Sequence, residues 1–465
     1  MTNEETTVCD HEMPDHDRPE HHVLDHDRPG DHDRPEHHVL DHDRPDHDLP
    51  DHHRFDHRRL GRELGLFGGD PLIGAGLPYL LPDGAAVRHV LEEYVRAAER
   101  RAGYRHVCSP VLGKRELYEL SGHWEHYRDD MFPPMRAGGE ELVLRPSLCP
   151  HHALIYRSRG RSHRELPVRL AELGGMYRAE PTGVLGGLSR VRAIQLNDGH
   201  VFCTPVQVAG EVRGALELIR RVHADLGVKP VRYRLSLPGE GGKYAGAPEN
   251  WARSAELLAE ALEGFDYERA PGEAAFYGPK IDVQVADSAG REWTLSTVQV
   301  DVHQPERFGL EYTGPDGRAH RPVLVHRSIL GSLERVLAQL LEEHGGAFPP
   351  WLAPVQVVVL PVRDADFPAA AALEQRCLDA GLRVEVVPAD RGSLAARVRD
   401  HRLVPYQAVV GAREAAAGSA AVRLRDGRRL DPLPAGEFVA GVAARIAARD
   451  GELWPGRDEG APGLR

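Results

Sequence analysis

The chain has 465 residues and a formal net charge of −13, a length that gives two or three domains with sizeable cores. Essentially all of the acidic excess falls in residues 1–57. The total charge therefore argues against indiscriminate nucleic-acid binding, while the Arg-rich remainder leaves room for local basic patches. Five scattered cysteines argue against a disulfide framework; with no signal-peptide pattern and no apolar run of about 18 residues, they fit a cytoplasmic protein that spans no membrane.

Residues 1–55 read as a low-complexity leader, because the segment from Asp15 to Pro29 recurs unchanged from Asp31 to Pro45. Repeated proline and charge leave too little apolar surface to offset ordering entropy, so the leader is expected to be disordered. Its histidines, interleaved with Asp and Glu, make it either a weak metal-collecting tail or a solvated repeat with no dedicated role. Folded structure is expected from Asp56. Val87, Val90, Leu91, Tyr94 and Ala97 recur at helical spacing over Ala85 to Ala102, and Gly103 to Pro110 reads as a strand stopped by proline. Taken alone, this is an ordinary helix–strand connection.

Leu142 to Pro146, Val168 to Tyr177, Val191 to Leu196, Val201 to Cys203, Lys280 to Ala286, Trp293 to Val300 and Pro322 to Val325 read as strands. A helix from about Ser328 to His344 is expected after them. Strands with helices to one side predict an antiparallel-dominated α+β domain over residues 56–350. The proline-rich Phe348 to Pro354 then marks a hinge. Beyond it, strands at Val355 to Leu360, Arg383 to Val387 and Gln407 to Val410 alternate with helices at Ala369 to Ala380 and Leu394 to Asp400. That alternation predicts a smaller α/β domain over 351–450 with a parallel or mixed sheet, and residues 451–465 form a tail.

One stretch carries the densest chemistry. From Gly175 to His200 two strands flank a Gly-rich turn, with Arg178 near one end and Arg190 and Arg192 near the other. Arginine reads phosphate and carboxylate with a rigid, permanently charged fork. With Arg145-Pro146-Ser147-Leu148-Cys149-Pro150 upstream and the run from His326 to Arg335 downstream, the stretch resembles the motif set of class II aminoacyl-tRNA synthetases, and specifically the threonyl-tRNA synthetase family. Ser121-Gly122-His123-Trp124, Arg178-x-Glu180-Pro181, Phe276-Tyr277-Gly278-Pro279-Lys280 and Thr297-Val298-Gln299 occur in the same order. The resemblance covers Asp56 to about Ala448. It implies the class II antiparallel catalytic sheet flanked by helices, an anticodon-binding domain after it, and a homodimer built on the helix and strand from Ala85 to Pro110.

The same resemblance implies the activity of a threonine–tRNA ligase, with threonine, ATP with Mg²⁺, and tRNA(Thr) as the expected substrates. Cys149, His200 and His326 are implied as the three ligands of a substrate-binding Zn²⁺, which leaves an open position for the amino and hydroxyl groups of threonine. Taken singly they read as a buried thiol and two satisfied polar side chains, and Cys203 and His151 are nearby rivals. Arg178 is implied to bridge the ATP α-phosphate and the amino-acid carboxylate. Glu180 would meet the adenine side and Arg190 the γ-phosphate, with Arg335 and Ser332 contributed by the third motif. Asp198 would accept from the threonine hydroxyl, and Tyr277, Lys280 and Gln299 would line the pocket. His123, with an ordinary imidazole pKa, would help deprotonate the terminal ribose, and Glu414 and Arg423 would face the anticodon.

Three departures accompany the resemblance. The family carries an N-terminal and an editing domain where this sequence has only the leader, so the chain is expected to be a truncated form unable to clear seryl-tRNA, the competitor that differs by one methyl group. Leu196 stands where the family has a glutamine that holds the amino-acid carboxylate, which shifts that task to Arg178. Leu403 precedes Val404-Pro405-Tyr406 where a basic residue is usual, and Arg391-Gly392-Ser393 replaces a Glu-Lys-rich helix start. Other readings of the same residues are a specialised second copy (a drug-resistant or zinc-stress form), an activating enzyme for another acceptor, and a tRNA- or threonine-sensing regulator.

Overall fold

A computed structural model describes residues 55–240, 244–245 and 247–455; the expectations for the leader up to residue 54 and for most of the tail lie outside them. The central element is an eight-stranded sheet made of β1 (Arg105–His106), β2 (Val168–Tyr177), β3 (Ala193–Cys203), β4 (Arg232–Leu237), β5 (Tyr267–Pro271), β6 (Lys280–Ala286), β7 (Glu292–Asp301) and β8 (Val323–Ser328). Their order is β5-β4-β6-β7-β8-β3-β2-β1. Only the two outermost pairs are parallel; every inner pair is antiparallel. This is the antiparallel-rich sheet expected from the sequence.

One face of the sheet is closed by α1 (Pro82–Arg101), α3 (Val208–Leu226), α4 (Pro248–Ala261) and α5 (Leu333–His344). Val87 and Leu91 of α1, Leu216 and Ile219 of α3 and Val336 and Leu340 of α5 meet Val201, Val298 and Val325 in one continuous apolar core. Each helix presents apolar residues three or four apart, and each strand presents every second one. On the opposite face, Ala153 and Tyr156 of α2 (Cys149–Arg157) cover Leu170, Phe202 and Leu324. Next to that small core the sheet face carries polar side chains instead.

Two boundaries differ from expectation. The strands read at Val191 to Leu196 and Val201 to Cys203 are one continuous strand, β3; the polar Asn197-Asp198-Gly199-His200 between them faces protein rather than solvent. The helix expected from Ser328 begins at Leu333, because β8 runs through Ser328. Gly331 then turns the chain at φ +63°, and Ser332 caps α5 by accepting from the Arg335 amide at 3.0 Å.

The second region has its own sheet, formed by β9 (Val357–Pro361), β10 (Val384–Val386), β11 (Tyr406–Val410), β12 (Ser419–Leu424) and β13 (Leu433–Pro434), in the order β10-β9-β11-β12-β13. The first three are mutually parallel and the rest antiparallel. Helices α6 (Phe367–Asp379), α7 (Leu394–Asp400) and α8 (Ala435–Ala448) complete this mixed α/β unit around a separate core that includes Val357, Leu373, Ala408 and Phe438. The region is tied back to the first. Arg449 lies 4.7 Å over the Tyr94 ring of α1, and the Arg425 guanidinium donates to the Phe348 carbonyl.

Candidate functional site

The site is written in the register of the central sheet. His200 of β3 is paired with His326 of β8, His326 with Gln299 of β7, and Gln299 with Lys280 of β6. Two residues along, Glu172 pairs with Asp198 and Thr297 with both Ser328 and Asp282. Side chains two apart share a face and neighbouring strands lie about 4.8 Å apart, so residues far apart in sequence become lateral neighbours. Pro150, suited to a first helical turn, follows Cys149 at the start of α2, and α2 lies on that same face.

Cys149, His200 and His326 are all buried, and one ligand atom from each lies within 4.8 Å of the others. His200 Nε2 and His326 Nδ1 stand 3.0 Å apart. His326 Nε2 donates to the Asp301 carboxylate at 2.9 Å, and its Nδ1 is turned to His200. His152 Nε2 donates to the Glu172 carboxylate at 3.0 Å, and its Nδ1 stands 2.8 Å from His200 Nδ1. His200 Nε2 and His326 Nδ1 thus stand together beside the sulfur, where a cation can take a lone pair from each.

The sulfur is also prepared. Burial pushes the Cys149 thiol up to about 12, while Ser147 Oγ at 3.0 Å and the Gln304 amide at 3.4 Å favour the thiolate. This donor set suits a soft-to-borderline divalent ion such as zinc. A second group, Asp56, His57 and Glu342, is as close, but its atoms are already engaged: Asp56 holds Arg58, and Glu342 holds His57 and the Ser288 amide. Of the two rivals to the trio, Cys203 points into the other face's core and His151 lies beside Tyr118.

Above the trio opens a cavity of about 240 Å³. Its lining includes His326, Asp198, Tyr277 and Gln299, the charged Arg178, Glu180, Arg190 and Arg335, and Leu196 and Ser332, which pair with each other. The Arg178 guanidinium is exposed and has no hydrogen-bond or ion-pair partner among the described residues. Arg190 holds Glu180 at 2.7 Å. Arg335 donates to the Ser189 and Thr294 carbonyls at 3.1 and 3.2 Å. Burial lowers its pKa, and the charges of Arg178 and Arg190 lower it further. Three guanidiniums held together against their mutual repulsion make a strong anion site. Opposite His326, Gln299 Oε1 is a buried acceptor without a partner among the described residues, and burial drives the Asp198 carboxyl above its ordinary value. Burial likewise pushes the Tyr277 phenol well above its ordinary value, and its ring centroid lies 5.1 Å from that of His326.

Two expectations are corrected. Lys280 is not part of the cavity lining; its ammonium binds the buried Asp282 at 2.7 Å. His123 does not keep an ordinary imidazole pKa. Burial pushes it down to about 3, with the charges of His326, Arg178 and His126 acting the same way. It sits beside the trio rather than in the cavity, with Nδ1 at 2.8 Å from Ser121 Oγ and Nε2 at 3.8 Å from Cys149 Sγ. In the second sheet, Glu414 caps its own helix by accepting from the Gly411 amide at 3.0 Å, and Arg423 lies on β12 opposite Gln407.

The sequence reading missed the outer layer: His152, Glu172, Asp301 and Gln304. His152 had a signal, since it follows Cys149 by one helical turn and shares its face. The other three become neighbours only through strand pairing. Also missed was the buried Arg327–Glu99 ion pair at 2.7 Å, which joins β8 to α1.

Residues 132–344 match the family described as "tRNA synthetase class II core domain (G, H, P, S and T)" and residues 356–445 the one described as "Anticodon binding domain". Sheet, cavity and trailing α/β region are thus those of a class II aminoacyl-tRNA synthetase. The chain is 48% identical over 398 residues to the threonine–tRNA ligase of Rubrobacter xylanophilus, covering 84% of this chain and 62% of that one. It is 47% identical over 393 residues to threonine–tRNA ligase 1 of Bacillus subtilis, covering 83% and 61%. The solved RNA-binding domain of threonyl-tRNA synthetase from Cryptosporidium parvum superposes with a TM-score of 0.78 at 33% identity, over 84% of this chain and 98% of that one. The chain belongs to the threonyl-tRNA synthetase family. It spans about 61% of the length of the curated relatives it matches. Among the described residues no helix is long and apolar enough to cross a membrane.

Proposed function

We propose that the chain activates threonine with ATP and Mg²⁺ to threonyl-adenylate and transfers the threonyl group to tRNA(Thr). The observation that carries this reading is a cavity lined both by His326 of the metal-ready Cys149–His200–His326 trio and by three guanidiniums, Arg178, Arg190 and Arg335. In the first step a carboxylate oxygen of threonine attacks the α-phosphorus of ATP and pyrophosphate leaves. Arg178, whose guanidinium has no partner among the described residues, bridges the carboxylate and the α-phosphate as charge builds there. Arg335 and Arg190 take the outgoing phosphates, and Arg190 must release Glu180, which then meets the adenine. In the second step a ribose hydroxyl of the terminal adenosine attacks the activated carbonyl and AMP departs.

Cys149, His200 and His326 would hold Zn²⁺, whose open position binds the amino and hydroxyl groups of threonine together. Asp198 and Gln299 supply acceptors for the same groups, and a site built on a hydroxyl rejects the valine side chain that lacks it. Leu196 offers no polar group to the carboxylate, which concentrates that task on Arg178. His123, neutral at physiological pH, serves the transfer step as a hydrogen-bonding partner. Lys280 acts through Asp282 rather than on substrate. Glu414 and Arg423 read the anticodon, a homodimer forms through α1 and β1, and the protein works in the cytoplasm.

Threonine-dependent exchange between ATP and pyrophosphate, followed by charging of tRNA(Thr), tests the reading. Exchange without charging would point to another acceptor. Failure of both with zinc-loaded protein would leave a sensor of threonine or tRNA.

A further inference from the structure

We propose that His152 and Glu172, anchored by Ser109 and Arg145, form a positioning relay that keeps the metal-facing nitrogen of His200 free of its proton. The inference rests on the metal reading above. Its strength is that every link has one direction. Glu172 Oε1 accepts from Arg145 Nη2 at 3.1 Å and from the Ser109 amide at 3.2 Å. Oε2 accepts from Ser109 Oγ at 2.6 Å and His152 Nε2 at 3.0 Å. A guanidinium and a backbone amide can only donate. Oε1 thus faces only donors, and Arg145 Nη1 donates to Ser109 Oγ at 2.6 Å, which turns the hydroxyl hydrogen to Oε2; the ionised carboxylate accepts on both oxygens, and His152 carries a proton on Nε2.

A ring whose single proton sits on Nε2 offers Nδ1 as an acceptor, and among the described residues the group that faces it is His200 Nδ1 at 2.8 Å. The proton of His200 is thereby fixed on the outer nitrogen and Nε2 is left for a metal. The side chains of His152 and Glu172 are 0% and 6% exposed, so water does not compete for these positions. The geometry spans three elements. Glu172 lies on β2 opposite Asp198, His152 lies on α2 one turn after Cys149, and Ser109 follows β1. α2 thus delivers both a metal ligand and the group that orients another.

The informative substitution is Glu172→Gln. Its carbonyl oxygen must stay against Arg145 and the Ser109 amide, which places the NH₂ against His152 Nε2. His152 then carries its proton on Nδ1, and His200 is driven to protonate Nε2, where the metal binds. Zinc release from the full chain to a chromogenic chelator is expected to reflect an affinity weakened by about 10–100-fold. His152→Ala removes the relay but leaves His200 free to take either tautomer, so its zinc loss is expected to be smaller, although it opens the larger cavity. The order of zinc retention expected is wild type, then His152→Ala, then Glu172→Gln.

A purely structural role predicts instead that zinc loss follows the drop in Tm, with His152→Ala affected at least as much; that order would overturn the relay. Imidazole ¹⁵N NMR on the metal-free wild-type chain decides the same point without any variant. His200 protonated on Nδ1 supports the relay, and His200 protonated on Nε2 overturns it. A wild-type chain that takes up no zinc would overturn the metal reading, a result distinguishable because the tautomers are read separately.

Discussion

In the eight-stranded sheet the side chains that bear chemistry sit in mid-strand, opposite one another, with their partners fixed by backbone pairing. In the five-stranded sheet the two residues assigned to anticodon reading, Glu414 and Arg423, sit at a helix start and on a strand whose pattern alternates between buried and half-buried. The first arrangement is rigid before any ligand arrives: His200, His326 and Gln299 could not be displaced without shifting β3, β7 or β8. On the function proposed above, small-molecule chemistry is entrusted to register, and RNA reading to two half-buried side chains at a helix start and on a strand.

The contrast can be broken by substitution. His326→Ala should erase the preference for threonine over valine, a discrimination of about 10⁴-fold where a buried site reads a hydroxyl; an unchanged ratio of exchange rates would detach the His pair from substrate choice. Arg178→Gln should slow exchange by about 10²–10³-fold, the usual cost of losing one preplaced donor to developing charge. Arg423→Ala should leave exchange untouched and lower charging of tRNA(Thr) by about tenfold. If exchange fell as well, the separation of tasks between the sheets would be wrong.

Two smaller effects probe the rigidity of the first sheet. Gly331→Ala places a methyl at φ +63° and 2.4 Å from the Leu295 carbonyl oxygen. It should cost about 1–3 kcal/mol in thermal unfolding. His223, bonded to Ser296 Oγ at 2.8 Å, is pushed down to about 4 from an ordinary 6.5 by burial. The unfolded chain therefore gains this proton first on acidification. Stability is full above about 6.5 and falls as pH drops towards 4. His223→Gln should flatten that part of the curve of Tm against pH.

How much of this was legible depended on whether the signal was local. β2, β6 and α7 begin and end where the sequence patterns place them; in β6, Ile281, Val283 and Val285 alternate with polar residues. α3 carries a clear local signal, with Val208, Val212, Ala215, Ile219 and Val222 at helical spacing, but no motif of chemical interest. β3 was read as two strands because a buried polar cluster imitates a turn. The cavity residues were reached through motif resemblance, whereas Glu172 and Asp301 were not, because what makes them matter is a cross-strand neighbour. The pKa of His123 was misjudged for the same reason: burial comes from surroundings that no single segment contains.

The order of the strands has a consequence for how the molecule comes into being. β8 is the last of the eight to be synthesised, yet it is seated between β7 and β3 in the interior of the sheet. Until residues 323–328 have emerged, β7 and β3 each present an open edge, and such edges invite pairing with other chains. A ribosome-stalled or proteolysed product ending before Val323 would therefore be two half-sheets with sticky borders, unable to gather a metal and prone to clump. Closure of the central sheet and the meeting of His200 with His326 are one event, brought about by a keystone strand that arrives late.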